Sequence, residues 1–235
     1  ADLGVWDWDM TTDEVAFNEE WAQMLGYSLD EIEPHLDAWE KRVHPDDIDD
    51  VEAALDAHIA DETDYYDTEH RMRTADGDWK WIRDVGKIFE RDADGEPVRA
   101  VGIHIDIDER KQRERKLRQF RKAVEQTAHV VYITDTDGTI EYVNPAFEEI
   151  TGFSEAGAVG QDRSILKSGE YGEEYYEELW ETILSGEQWA DEMLEERADG
   201  EEIVFNQTIS PITDEDGQPQ KFVAVGQDTT QQKEY

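Results

Sequence analysis

The spacing of apolar and polar positions changes in a fixed order along this chain, and the order occurs twice. Alternation over 3–10 and 14–18, around Thr11-Thr12-Asp13, predicts two strands joined by a turn. Helical spacing follows over 19–25, stopped by Gly26, and over a longer stretch that Pro45 opens in its first turn and that runs to about 60. Alternation returns over 65–73, 79–91 and 98–106, with Asp-Gly turns between. In the second half the pattern predicts strands at 130–135 and 139–144 and helices at 146–151 and 173–185. Strands at 189–197, 202–213 and 221–228 complete it. Strands at both ends with helices between them make an α+β fold. Each half is expected to be a five-stranded antiparallel sheet with short helices on one face.

Particular residues repeat along with the pattern. Asn18 precedes Gly26-Tyr27-Ser28 by eight positions, and Asn144 precedes Gly152-Phe153-Ser154 by the same eight. Ala75-Asp76-Gly77 returns as Ala198-Asp199-Gly200, and Asp94-Gly95-Glu96-Pro97 as Asp216-Gly217-Gln218-Pro219. Markers in the same order at nearly constant offset imply two homologous domains. Between them, eight of the chain's 22 basic residues crowd into 110–122, a stretch without Gly or Pro. It reads as a connecting helix opened by Asp108, with Leu117, Phe120 and Val124 as a short apolar stripe. The expected division is 1–107, a basic helix over 108–127, and 128–235, the last including the start of an outgoing segment.

Composition narrows the chemistry. Of 235 residues, 61 are acidic and 22 basic, for a net charge of −39, and the acids are spread through both halves. Such a surface repels nucleic acid and anionic membranes. Self-repulsion of this size is relieved when molar salt shrinks the Debye length to ~3 Å, which points to the cytoplasm of a halophile, here a halophilic archaeon. The absence of Cys excludes disulfides, thiolate metal sites and thiol catalysis. No apolar run reaches the ~20 residues of a membrane span. The start at Ala1 without Met reads as a piece of a longer protein. No metal-ligand spacing, phosphate loop or catalytic set stands out, so no catalytic or metal-binding residue is assigned.

Several of these stretches together resemble the PAS sensor family. They are the two Asn-to-Gly segments, Val43-His44-Pro45-Asp46-Asp47, Gly160–Gly169, and the strand endings Val101–Arg110 and Gly226–Thr230. The resemblance implies two sensory domains, each a sheet cupped around a pocket and passing strain from its last strand into a helix. It further implies the input region of a signalling protein, here a sensor histidine kinase of a two-component system. Alternatives are the input of a PAS-containing transcription regulator, of a cyclase or diesterase, or a dimerisation scaffold. The implied partners are a second copy, through the connecting or terminal helices, a downstream signalling domain and a small-molecule ligand.

The second copy is the expected ligand site, with Ile133, Phe147, Ile150, Ile165, Leu166, Met193, Phe205 and Ala224 lining its inner face. Alternation places Glu195 beside Met193, either recognising a cation or paired with Arg163 or Arg197. The family's light sensors need a Cys where Arg163 stands, which excludes their photoadduct. The amides that would hold a flavin noncovalently fall on Glu195, Phe205 and Gly226, with Gln227 turned away, although Arg163 could face a flavin phosphate. In the first copy His104 is expected to face inward and His58 to be exposed. These two are the candidate axial ligands for a haem, and His104 is otherwise a hydrogen-bonded structural residue. No resident cofactor is the reading adopted, with noncovalent flavin and haem left as alternatives.

Overall fold

A computed structural model describes residues 3–230 and shows two compact units that divide within the connecting helix, 1–116 and 117–235. In the first, β1 (Gly4–Asp9) and β2 (Glu14–Phe17) precede α1 (Glu19–Met24), α2 (Asp37–Glu40) and α3 (Ile48–Ile59). Strands β3 (Tyr66–Arg73), β4 (Trp79–Arg91) and β5 (Pro97–Asp106) follow, and α4 (Asp108–Gln126) connects to the second unit. There β6 (Val130–Thr134) and β7 (Ile140–Val143) precede α5 (Pro145–Thr151), α6 (Glu155–Ala158) and α7 (Glu173–Leu184). Strands β8 (Trp189–Glu196), β9 (Glu202–Thr213) and β10 (Pro219–Asp228) close it. Both sheets are five-stranded and antiparallel, with matching orders β2-β1-β5-β4-β3 and β7-β6-β10-β9-β8.

The repeated residues are those that tie strand to helix. Asn18 caps α1 by accepting the Trp21 amide at 3.0 Å and also accepts the Val5 amide at 2.7 Å. Asn144 does the same for Phe147 and Val131, at 3.0 and 2.9 Å. Gly152 ends α5 with φ of 75°, a left-handed conformation that suits glycine. The repeated alanines complete the link: Ala75 donates its amide to the Leu25 carbonyl, and Ala198 to that of Thr151. The repeats are therefore partners in space.

One helix start differs from expectation. Pro45 lies in a turn, and α3 begins only at Ile48. Arg71 holds the Asp47 carboxylate through its backbone amide and its guanidinium, at 2.6–2.9 Å, while the Asp47 amide closes the turn onto His44. No residue of the connecting helix is buried, and Leu117 and Phe120 are among the most exposed apolar side chains. The outgoing segment expected after β10 reaches Thr229 and Thr230; its continuation, 231–235, lies outside the described residues. No helix among the described residues is long and apolar enough to cross a membrane.

Candidate functional site

Two glycines shape the inner face of the first sheet. Trp6 on β1 faces Gly102 on β5, which pairs in turn with Gly86 on β4. A Cβ at either glycine would collide with the Trp6 ring, so the glycines let the indole lie against the sheet. There its Nε1 donates to Asp84 Oδ1 at 2.7 Å. The other oxygen, Oδ2, lies 2.9 Å from His104 Nε2, which is within ion-pair distance but off the line of a hydrogen bond. Asp84 and His104 are paired across β4 and β5, and both are almost fully buried.

More titratable groups surround this carboxylate. The buried Tyr66 hydroxyl accepts from Thr68 at 3.1 Å, and burial, then the Asp84 charge, pushes its ionisation far up. His70 on β3 is fully buried, with Nδ1 3.0 Å from the Thr68 hydroxyl and no partner for Nε2. Burial drives its pKa down to about 4, against the pull of Asp84. Beside this cluster is a cavity of about 40 Å³, whose lining includes the rings of Trp6, Trp8, Phe17, Trp21 and Trp39 together with Asp84, His104 and Lys87. The indole Nε1 atoms of Trp21 and Trp39 are buried without a hydrogen-bond partner.

His58 also lines this cavity, and its expected exposure is corrected: it is buried. Its Nε2 accepts the Ile88 amide at 3.1 Å, where the β4–β5 register shifts, and its Nδ1 lies 2.9 Å from the Thr63 carbonyl. These partners require the tautomer protonated on Nδ1. The imidazole thus satisfies a backbone donor next to a bulge, which draws it inward.

The inner side of the second cup is lined by buried apolar side chains. Phe147, Leu166, Met193, Phe205 and Ala224 are buried on its inner side, and Ile150 and Ile165 pack partly buried against them. Ile133 is the exception and is corrected. Tyr132, not Ile133, pairs with inward-facing Ala224 and belongs to the core, so Ile133 faces the other side of the sheet. An unbroken apolar run over 130–133 carries no alternation from which to assign a face. Gly226 is buried with the Phe205 ring directly over it, 3.2 Å from where a Cβ would stand.

Arg163 and Glu195, 5 % and 1 % exposed, form a buried pair, with Nη2 2.9 Å from Oε1. Burial pushes the Glu195 carboxyl up despite Arg163. Burial alone would lower Arg163, but Tyr132 and Glu195 beside it raise it. Arg197 pairs elsewhere, with Asp228 at 3.3 Å. Gln207, absent from the sequence-based set, is buried on the inner face and accepts from the Tyr132 hydroxyl at 3.3 Å.

Neither cup fits the larger cofactors. In the second, the Phe205 ring occupies the space over Gly226, and Glu195 pairs with Arg163 Nη2, so a flavin finds no room over Gly226. In the first, the Trp6 indole covers the sheet and Asp84 stands at His104 Nε2, which blocks the approach of a haem iron. Among the described residues no three His, Asp or Glu side chains gather as ligands for a metal ion.

Comparison with known proteins agrees with this architecture. Two family models, each described as PAS fold, match residues 14–104 and 118–229. A nitrogen fixation regulatory protein of Klebsiella oxytoca is 31 % identical over 109 residues, covering 46 % of this chain and 22 % of that protein. Sensor protein FixL of Bradyrhizobium diazoefficiens is 29 % identical over 168 residues, covering 70 % and 33 % respectively. A solved sensory box histidine kinase/response regulator from Burkholderia thailandensis is 34 % identical, covering 54 % of this chain and 93 % of that one, with a TM-score of 0.49. The chain spans a third or less of the length of these two curated relatives.

Proposed function

Because the chain belongs to the PAS fold family, once through residues 14–104 and again through 118–229, we propose that its first domain receives a small-molecule signal and passes it through β5 into α4. The observation that carries this reading is the ring-lined cavity of the first cup, whose buried indole donors lack partners. Buried polar groups are normally satisfied, so such atoms mark a place where something else binds.

The route outward starts at the cavity wall. Ala100 and His104 of β5 line the cavity, and two residues beyond His104 the strand ends at Asp106. Lys80 of β4 holds Asp106 at 2.8 Å. The Ile107 amide donates to the Trp81 carbonyl, and the Trp81 amide donates to Asp108 at the start of α4. Glu69 of β3 accepts from Arg110 and Lys111 at 2.5 and 2.6 Å, which holds its carboxyl below the usual range. Lys111 also lies over the Trp81 ring. A ligand that moves His104 or Trp6 therefore strains the joint by which the first turns of α4 are fastened.

In this reading the second domain is a relay and dimerisation unit with a filled core. The whole protein is a cytoplasmic sensor, with a histidine kinase as the favoured output and a transcription regulator as the alternative. Both matched folds are sensory rather than catalytic, and the relatives are named as sensors and regulators. The test is amide hydrogen exchange in molar KCl on the protein and on Ala100→Leu, which occupies the cavity from β5. The expected result is altered exchange in β5 and over 108–116, with the second sheet unchanged. Changes confined to the cup, with none in α4, would contradict the relay.

A further inference from the structure

The chemistry of the first cup narrows what it accepts, given the reading of that cup as the input site. Both oxygens of Asp84 are engaged, one by the Trp6 indole and one by His104. A carboxylate in the wall, within a chain of net charge −39, disfavours an anion. Two of the unpartnered groups, Trp21 Nε1 and Trp39 Nε1, are donors only and disfavour a cation, although His104 Nε2 and His70 Nε2 also lack hydrogen-bond partners. Trp21 is fully buried, its ring tilted against Phe17 at 4.1 Å and 5.5 Å from the His104 ring, so its N–H has no route to bulk water. A buried donor of this kind is costly until an acceptor reaches it. His58, Tyr66 and Lys87 also line the wall, the remainder is apolar, and the cavity of about 40 Å³ limits the guest to a few heavy atoms beyond what side chains can yield. Met10, partly exposed at the wall, is the adaptable side chain that can yield.

We propose that the first cup binds a small neutral molecule, no larger than a single ring, with an apolar body and a hydrogen-bond acceptor that reaches the indole N–H of Trp21 or Trp39. Its ring packs among the tryptophans, and its acceptor supplies what the fold leaves missing.

The experiment titrates four single-ring probes into the whole chain at pH 8 in molar KCl, following the indole N–H signals by two-dimensional nitrogen–proton NMR. Pyridine is the neutral acceptor, benzene lacks the acceptor, N-methylpyridinium is the cation and benzoate the anion. The Trp21 and Trp39 signals are assigned by through-space transfer in the unmodified protein. Pyridine is expected to move one or both downfield with saturation, while benzene binds roughly five- to tenfold more weakly for want of one hydrogen bond. The two ions are expected to bind more weakly still. Ala100→Leu should abolish the pyridine shift while the Trp180 and Trp189 signals of the second domain stay where they are. Tighter binding of N-methylpyridinium or benzoate at the same two indoles would overturn the ligand class but keep the cup as a receiving site. Equal binding of benzene and pyridine would overturn the role of the acceptor. If no probe moves either indole, both the ligand class and the reading of the cup fall.

Discussion

The two sheets share one topology and differ at matched positions of their inner faces. Strand register aligns Trp6 with Tyr132, Gly102 with Ala224, His104 with Gly226, and Asp84 with Gln207. It also aligns Gly86 with Ile209 and Ile82 with Phe205. In the first domain two glycines make room for a large indole, and a charge cluster stands at mid-sheet beside a cavity. In the second, Ile209, Ala224 and Phe205 take up that room. Its charges are Glu195, farther along β8, and Arg163, in the turn that precedes Leu166; they pair through one contact, while Arg163 Nε and Nη1 and Glu195 Oε2 have no hydrogen-bond partner. The same backbone is thus used once with a polar, incompletely filled interior and once with a closed one. A PAS fold therefore does not by itself imply a ligand site; the side chains at a few central strand positions decide.

The comparison can be broken most strongly at the closed core. Glu195→Ala leaves the Arg163 guanidinium buried without its partner and should cost about 3–5 kcal/mol, all in the second domain. Glu195→Gln, which still accepts from Arg163, should cost clearly less. Chemical denaturation followed by signals from each domain separates the two results.

Acid acts on the first domain instead. The folded-state pKa of His70, at about 4, lies below the ordinary 6.5, so folding favours its neutral form. The stability this confers is complete above pH 6.5 and is lost as pH falls toward 4. The loss should be on the order of 3 kcal/mol. The one histidine of the second domain, His129, is exposed, so thermal melts between these pH values should weaken the first unit before the second. Equal loss in both units would assign the effect to surface carboxylates.

Smaller effects sharpen the contrast. Gly102→Ala drives a Cβ into the Trp6 ring and the Val85 carbonyl and should cost about 1–3 kcal/mol while quenching or shifting Trp6 emission. The matched position in the second sheet already carries alanine without such a clash. Tyr132→Phe removes a 3.3 Å hydrogen bond to Gln207 and should cost about 1 kcal/mol or less.

Much of the fold was legible because its signals are local. Asn18 and Asn144 repeat because each caps a helix and also accepts the amide of the neighbouring strand, so the marker and the architecture have one cause. The inward placement of His104 and Glu195 also follows from alternation. Asp84 was overlooked although a signal existed. Along β4, Ile82, Asp84, Gly86 and Ile88 share one face, and an aspartate between apolar residues and a glycine is a buried charge in need of partners. Ile133 could not be oriented from an unbroken apolar run, and only pairing with Val223 settles its side. His58 was misplaced because its partner, the Ile88 amide, is freed by a bulge that the sequence does not announce. The cavity itself depends on how Trp6 lies across two glycines 16 residues apart, a relation set by register alone.

The central claim is that the first cup is receptive and the second closed. Xenon is a direct probe, because it enters apolar cavities of sufficient size without needing hydrogen bonds. Nitrogen–proton NMR of the chain under xenon pressure should show saturable shifts clustered around Trp6, Trp21 and Ala100 and none around Phe205, Leu179 and Gly226. Shifts centred on Phe205 and Gly226, with the first cup unmoved, would contradict the account.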